Sequence, residues 1–292
     1  MRTRSIIFIV TVTSVLSAGV IWFALARPSE DSVQIVLSDT QLQWQKARTY
    51  GANARELPQE AGQIIAAIGP HHLPYSSGLL KGLYETIAQN KPDLRTIVLM
   101  APDHYQAAAE SAVTAAITYE TSLGKTYTDD SLFSELVQSG LVLHDQQVFA
   151  DEHAVYTHIP YIQTYLPDVR IVPLLIRPDM QGQEAQELGV WLAGRLPPDT
   201  LLILSTDLSH YQPAELARLE DQDTVEILQT IDSSRVGEAI TDAGPALVVL
   251  FTFLNQRNSS EGIVLGTGNQ ADFGADREST TGYATLVYWV SR

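Results

Sequence analysis

Between residues 64 and 290 the chain alternates short, continuous apolar runs with longer segments of helical pattern. This alternation narrows the fold more than any other feature. Ile64–Ile68, Thr96–Met100 (TIVLM), Arg170–Ile176 (RIVPLLI) and Leu201–Leu204 (LLIL) are apolar without a polar side, as strands covered on both faces must be. Ser111–Ile117, Ile263–Gly266 and Tyr283–Val290 also have strand character. Helices are predicted over Gly78–Gln89, Asp129–Gln138, Glu152–Tyr165, Gln183–Leu196, Ala214–Ile231 and Pro245–Asn255. Strands interleaved with helices predict an α/β fold: a single domain over 61–292 with a central, mostly covered β-sheet flanked by helices.

The start of the chain is different. Ser5 to Ala26 holds 22 residues without a charge, preceded by Arg2 and Arg4. That length spans a bilayer as a helix. Residues 1–27 are therefore expected to be a transmembrane signal anchor, with the domain membrane-anchored and extracytoplasmic. A signal peptide cleaved near Ala26, in Ala24-Leu25-Ala26, is the other reading and would give a secreted protein. Residues 28–60 read as a polar linker in which Trp44 and Tyr50 can dock on the domain.

Composition excludes several classes of function. The formal net charge of −16 argues against nucleic acid as the main partner, because phosphate binding needs clustered Lys and Arg. The absence of cysteine removes disulfides, thiolate metal sites and cysteine nucleophiles. No phosphate-binding or dinucleotide glycine motif is present, and no G-x-S-x-G elbow. Ser205, Asp207, Ser209 and His210 share one short loop, too local for a hydrolase triad.

The seven histidines carry the positive signal. His71 and His72 follow the first strand in G-P-H-H. His104 follows TIVLM in A-P-D-H-Y. Asp207 and His210 follow LLIL in S-T-D-L-S-H-Y. Ligands of open α/β sheets bind just beyond the carboxyl ends of the strands, and these three loops deliver His and Asp there. Imidazole with carboxylate suits Zn, Fe, Cu or Mn, and two histidines plus a carboxylate is the non-haem iron arrangement. His153 and His158 fail the H-E-x-x-H test. They stand five residues apart, about 140° apart around a helix. There Asp151 is expected to cap the helix, with Glu152 in its first turn.

These loops, in this order, resemble the Memo family (the AmmeMemoRadiSam system protein B), which is similar in fold to the LigB-type class III extradiol dioxygenases. The resemblance rests on P-H-H-L-P-Y-S-S-G (Pro70–Gly78), A-P-D-H-Y (Ala101–Tyr105), Thr121-Ser122-Leu123-Gly124, E-H-A-V-Y-T-H-I-P-Y (Glu152–Tyr161), S-T-D-L-S-H-Y (Ser205–Tyr211) and Thr281–Thr285. It implies that His71 and His104 are metal ligands, that His210 is a catalytic or metal-associated histidine with Asp207 beside it, and that His153 is the histidine of the family's E-H-S motif. Two departures stand out. Ala243 occupies the place of the family's cysteine, so either Asp242 supplies the third ligand or that ligand is missing. Tyr156 replaces a glutamate.

The expected protein is thus a Memo-like metal-binding, dioxygenase-like oxidoreductase. Its ion would be a divalent metal, Fe(II) favoured, with Cu, Mn or Zn as alternatives. The expected partner is a small-molecule substrate or peptide, with the membrane engaged through residues 5–26. The site set is His210 and Asp207 as catalytic residues and His71, His104 and Asp242 as metal ligands. His72, Asp103, Tyr105, His153 and Tyr211 are further pocket candidates. A non-catalytic binding protein that keeps the cleft and a metal-dependent hydrolase are the alternatives.

Overall fold

The computed structural model describes residues 32–47, 57 and 62–290. Its eleven described strands are β1 (Val33–Val36), β2 (Gln63–Gly69), β3 (Thr96–Pro102), β4 (Ala112–Thr114), β5 (Ile117–Thr121), β6 (Gly124–Thr126), β7 (Leu143–His144), β8 (Arg170–Ile176), β9 (Thr200–Ser205), β10 (Gly262–Asn269) and β11 (Gly282–Val290). The α-helices are α1 (Trp44–Ala47), α2 (Ser77–Asn90), α3 (Asp130–Gln138), α4 (His153–Tyr156), α5 (Ile159–Tyr165), α6 (Gly182–Arg195), α7 (Ala214–Thr230) and α8 (Gly244–Gln256).

Eight strands form one sheet in the order β10-β11-β2-β9-β3-β8-β4-β7. Its centre, β2-β9-β3-β8, is parallel, and β10 and β11 add an antiparallel edge. The apolar runs have a purpose on each face. Ala67, Ile97, Leu99, Ile171, Leu201 and Ile203 point to a core shared with Leu80, Leu83 and Tyr84 of α2 and Ile162 of α5. Their neighbours Ala66, Ile68, Val98, Met100, Leu202 and Leu204 point to the other core, shared with α6 and α8. Alternating residues thus feed opposite layers, so a strand inside the sheet must be apolar throughout.

The winding direction reverses at the centre. The chain leaves β2, runs through α2 and enters β3 on the far side of β9. Later it leaves β8, runs through α6 and returns to fill β9. Right-handed crossovers taken in opposite directions put α2 and α6 on opposite faces, and the reversal leaves a crevice at the strands' carboxyl ends.

Several expectations need correction. The stretch read as linker is partly structure: β1 pairs in parallel with β5, and α1 buries Trp44 edge-on against Tyr161 at 5.3 Å. The helix expected over Glu152–Tyr165 is two, α4 and α5, with Pro160 in the first turn of the second. Proline in an opening turn costs no hydrogen bond, so it marks a start rather than an interior. Ser111–Ile117 divides between β4 and the start of β5. Among the described residues no helix is long and apolar enough to cross a membrane, which overturns the membrane-anchored, extracytoplasmic placement. The segments 1–27 and Tyr50, on which that placement and a docking contact were expected, lie outside the described residues.

Candidate metal centre

The register of the central strands sets the site. Ile68 pairs with Leu204, and Leu204 with Met100, so β2, β9 and β3 end level with one another. The loops that follow carry His71, Asp207 and His104 to one place. A fourth segment, just before α8, brings Asp242, whose backbone N–H donates to the Asp207 carbonyl at 3.3 Å. A carboxylate at a helix N-terminus is favoured as the anion.

Two imidazoles face Asp242. His71 Nε2 lies 3.1 Å from Asp242 Oδ2, and His104 Nε2 lies 3.4 Å from the same oxygen. The opposite ring nitrogens are held from behind. His104 Nδ1 is 2.9 Å from Glu152 Oε1, and Glu152 Oε2 accepts the His104 backbone N–H at 2.9 Å. His71 Nδ1 is 2.9 Å from Ser205 Oγ. A carboxylate only accepts, so His104 carries a proton on Nδ1 and leaves Nε2 for the cleft. Second partners of this kind are what orient metal-binding histidines. His153 completes the group: one ring nitrogen from each of His71, His104 and His153 lies within 4.8 Å of the others.

The acids are held equally firmly. Asp242 Oδ1 accepts from Thr206 Oγ1 at 2.7 Å and from the Asp207 backbone N–H at 3.1 Å. Asp207 Oδ1 accepts the His71 backbone N–H at 3.0 Å, and its Oδ2 stands 3.7 Å from His71 Nε2. Glu152 is fully buried and caps α4 by accepting the Ala154 N–H at 3.0 Å, the role expected of Asp151.

Titration follows from this crowding. Burial works against the charged form of His104, but the hydrogen bonds and charges of Asp242 and Glu152 outweigh it and push its pKa up to about 10. His71 is raised in the same way, burial opposing and Asp207 and Asp242 prevailing. Burial would raise Asp242, yet His71, His104 and Thr206 hold it well below the usual carboxylate range. Burial and the two charged neighbours lower His153 to about 4, so this third ring is neutral. Burial raises Asp207.

Two imidazole nitrogens aimed at one carboxylate oxygen make sense in two states. Either each nitrogen carries a proton, or a cation sits among them. The donors fit a divalent cation: imidazole nitrogens and carboxylate oxygens, no sulfur, and anchors that leave the Nε2 atoms forward. A His71/Asp207/Asp242 group also places its ligand atoms within 4.8 Å of one another.

The other sequence candidates divide. A cleft of about 570 Å³ opens over the cluster, and His72, Tyr105, His210 and Tyr211 line it. His210 Nδ1–H donates to the Leu208 carbonyl at 2.7 Å, which leaves Nε2 as its basic nitrogen. His72 Nε2 meets Gln270 Nε2 at 3.2 Å. Tyr211 is at the rim, 82% exposed, with φ of +58°. Asp103 does not join the cluster. Its carboxylate accepts the backbone N–H groups of Ala107 and Ala108 at 3.1 and 2.9 Å and shapes the loop that carries His104. His158 is buried behind Ser205, and His144 packs on Phe133 elsewhere. Ala243 is buried, while the carboxylate beside it in sequence faces the imidazoles. Glu152 and Ser205 are functional neighbours that sequence reasoning assigned no such role. Gln41 and Gln43, from the supposed linker, form part of the cleft wall.

Comparison with known proteins finds relatives along most of the chain. A MEMO1 family protein of Pyrobaculum aerophilum is 27% identical over 85% of this chain and 92% of its own. One from Methanopyrus kandleri is 25% identical over 77% of this chain and 83% of its own. Among solved structures, an uncharacterized protein of Escherichia coli K12 matches with a TM-score of 0.52 at 14% identity. That match covers 77% of this chain and 100% of the other, and it speaks to the fold alone. The profile of the Memo-like proteins spans residues 39–287, from the segment before α1 to β11, and the chain belongs to that family.

Proposed function

We propose that this protein is a metal-dependent oxidoreductase that holds one divalent ion between His71, His104 and Asp242 and takes a small phenolic or related molecule into the cleft. The observation that carries the reading is the convergence of two back-anchored imidazole Nε2 atoms on one partly buried carboxylate oxygen. Two histidines and a carboxylate, with no thiolate, favour Fe(II), with Mn(II) or Zn(II) next and Cu(I) last. Bound there, Fe(II) supplies binding positions and redox chemistry for O₂ and an oxygen-bearing substrate.

The chain's own residues do the rest. His210, its Nδ1 tied to Leu208, offers Nε2 to the cleft as a general base. Tyr105 and Tyr156 line the same cleft and supply hydroxyls and ring faces for an aromatic guest.

Metal content after anaerobic reconstitution with Fe(II), Mn(II), Zn(II) and Cu(I) tests the site. Near one equivalent in the wild type, lost in His71→Ala and in His104→Ala, is expected. Oxygen uptake with catechol as the probe, lost in His210→Gln, tests the reaction. Turnover without oxygen would move the assignment to a hydrolase. Metal retained by both alanine variants would remove the site itself.

A further inference from the structure

Behind the site runs a buried chain of hydrogen bonds that the proposed reaction does not use. Tyr84 OH lies 2.9 Å from His158 Nδ1. His158 Nε2 lies 3.0 Å from Ser205 Oγ, and Ser205 Oγ lies 2.9 Å from His71 Nδ1. Ser205 Oγ also donates to the Ala154 carbonyl at 2.7 Å. Tyr84, His158 and Ser205 are all fully buried, so water does not satisfy any of these groups.

The proton positions follow by elimination. The Ala154 carbonyl only accepts, so the single Ser205 proton points there. Ser205 Oγ then has two lone pairs, and each meets an imidazole. Both imidazoles must donate to it: His71 through Nδ1–H and His158 through Nε2–H. His158 is thereby left with a bare Nδ1, which only the Tyr84 hydroxyl is placed to satisfy. Every donor has one acceptor, and the reverse polarity would set the Ser205 oxygen against the Ala154 carbonyl oxygen.

We propose that Tyr84, His158 and Ser205 act as a positioning relay that holds the last His71 proton on Nδ1, so that Nε2 is the nitrogen freed for a metal ion. This rests on the metal-site reading above. None of the three touches the ion, so they are positioning residues. His158 pins the Ser205 hydroxyl: without its N–H, the Ser205 proton is free to swing onto His71 Nδ1 and let the ring keep its last proton on the metal-facing nitrogen. His71 has no carboxylate behind Nδ1, unlike His104, so its orientation depends on this neutral relay.

The test is Zn(II) affinity of the full chain by competition with a chelator, with circular dichroism to monitor the fold. Ser205→Ala is expected to weaken binding about 10–100-fold, the usual cost of losing a partner behind a ligand. Ser205→Thr, which keeps the hydroxyl, is expected to restore it. In a second pair, His158→Leu is expected to weaken binding and His158→Gln, which keeps an N–H donor, to bind within about threefold of wild type on the same scale. In the Zn(II)-loaded wild type, long-range ¹⁵N–¹H spectra are expected to show a slowly exchanging proton on His71 Nδ1. Loss of binding in His104→Ala with unchanged affinity in Ser205→Ala and His158→Leu would overturn the relay and leave the site standing. No Zn(II) binding by the wild type would overturn both.

Discussion

His104 shows how much a single side chain can report. Its ring lies between Glu152 and Asp242, and in the metal-free protein that position holds a proton to about pH 10. His71 is raised as well. At neutral pH a metal ion must therefore displace the His104 proton, and at least about one proton should be released per ion bound. Calorimetric titration with Zn(II) in two buffers of different ionisation enthalpy measures that number. A value near zero would show that these rings are not ligands. The same shift has a sign for stability. A histidine whose pKa is raised on folding stabilises the folded state fully below its unfolded value, near 6.5, and loses that contribution as pH rises through its folded value. The Tm of the metal-free protein should fall between about pH 6.5 and pH 10, and His104→Ala should flatten that fall. A metal-free wild type with equal Tm at both ends would contradict the charge pairing.

At the scale of elements, the turn after β9 depends on its neighbours. Gly282, at the start of β11, donates its N–H to the Ser209 carbonyl and accepts from Leu208 N–H. Asp221 of α7 takes the Ser209 N–H at 3.0 Å. A Cβ on residue 282 would sit 1.8 Å from Asp221 Oδ2, closer than any real contact. Gly282→Ala should thus push Asp221 aside, cost about 1–3 kcal/mol in urea unfolding, and weaken Zn(II) binding through the displaced Asp207. Unchanged stability and affinity would show that the turn holds itself.

Elements also explain what the sequence revealed. The central strands were legible because both faces are buried, which writes a continuous apolar run. The short pieces β1, β4, β5, β6 and β7 carry two to five residues each, too few for a period to stand out. Their pairing is decided by tertiary context. His71, His104 and Asp207 were legible because the ends of parallel strands gather ligands whatever the chemistry. Glu152 was not, because it stands 48 residues from His104 and its local pattern is that of an ordinary helix cap. Ser205 lay in plain view within a serine-histidine loop. Its partner proved to be His71, 134 residues away, and no spacing rule reaches that far.

On the scale of the molecule, the candidate ligands tie together parts that the sheet alone keeps only side by side. His71 and His104 follow strands β2 and β3, which β9 separates, and Asp242 precedes α8 on the layer packed against the other face. An ion bound by all three closes loops of 33 and 138 residues between ligands in the folded chain, and the unfolded chain offers no such set. Binding then counts directly toward stability. At a free metal concentration of about 100 times Kd the gain is about 2.7 kcal/mol. For a domain of this size that raises Tm by about 5–10 °C. A thermal shift series with Zn(II), Mn(II) and Mg(II) measures it. The wild type should respond to Zn(II) and Mn(II) far more than to Mg(II), since imidazole is a poor ligand for the harder ion. His104→Ala should stay folded and lose the response. A shift that survives in His104→Ala would assign the stabilisation to ions gathered by the acidic surface, not to the cleft, because only the cleft depends on that ring.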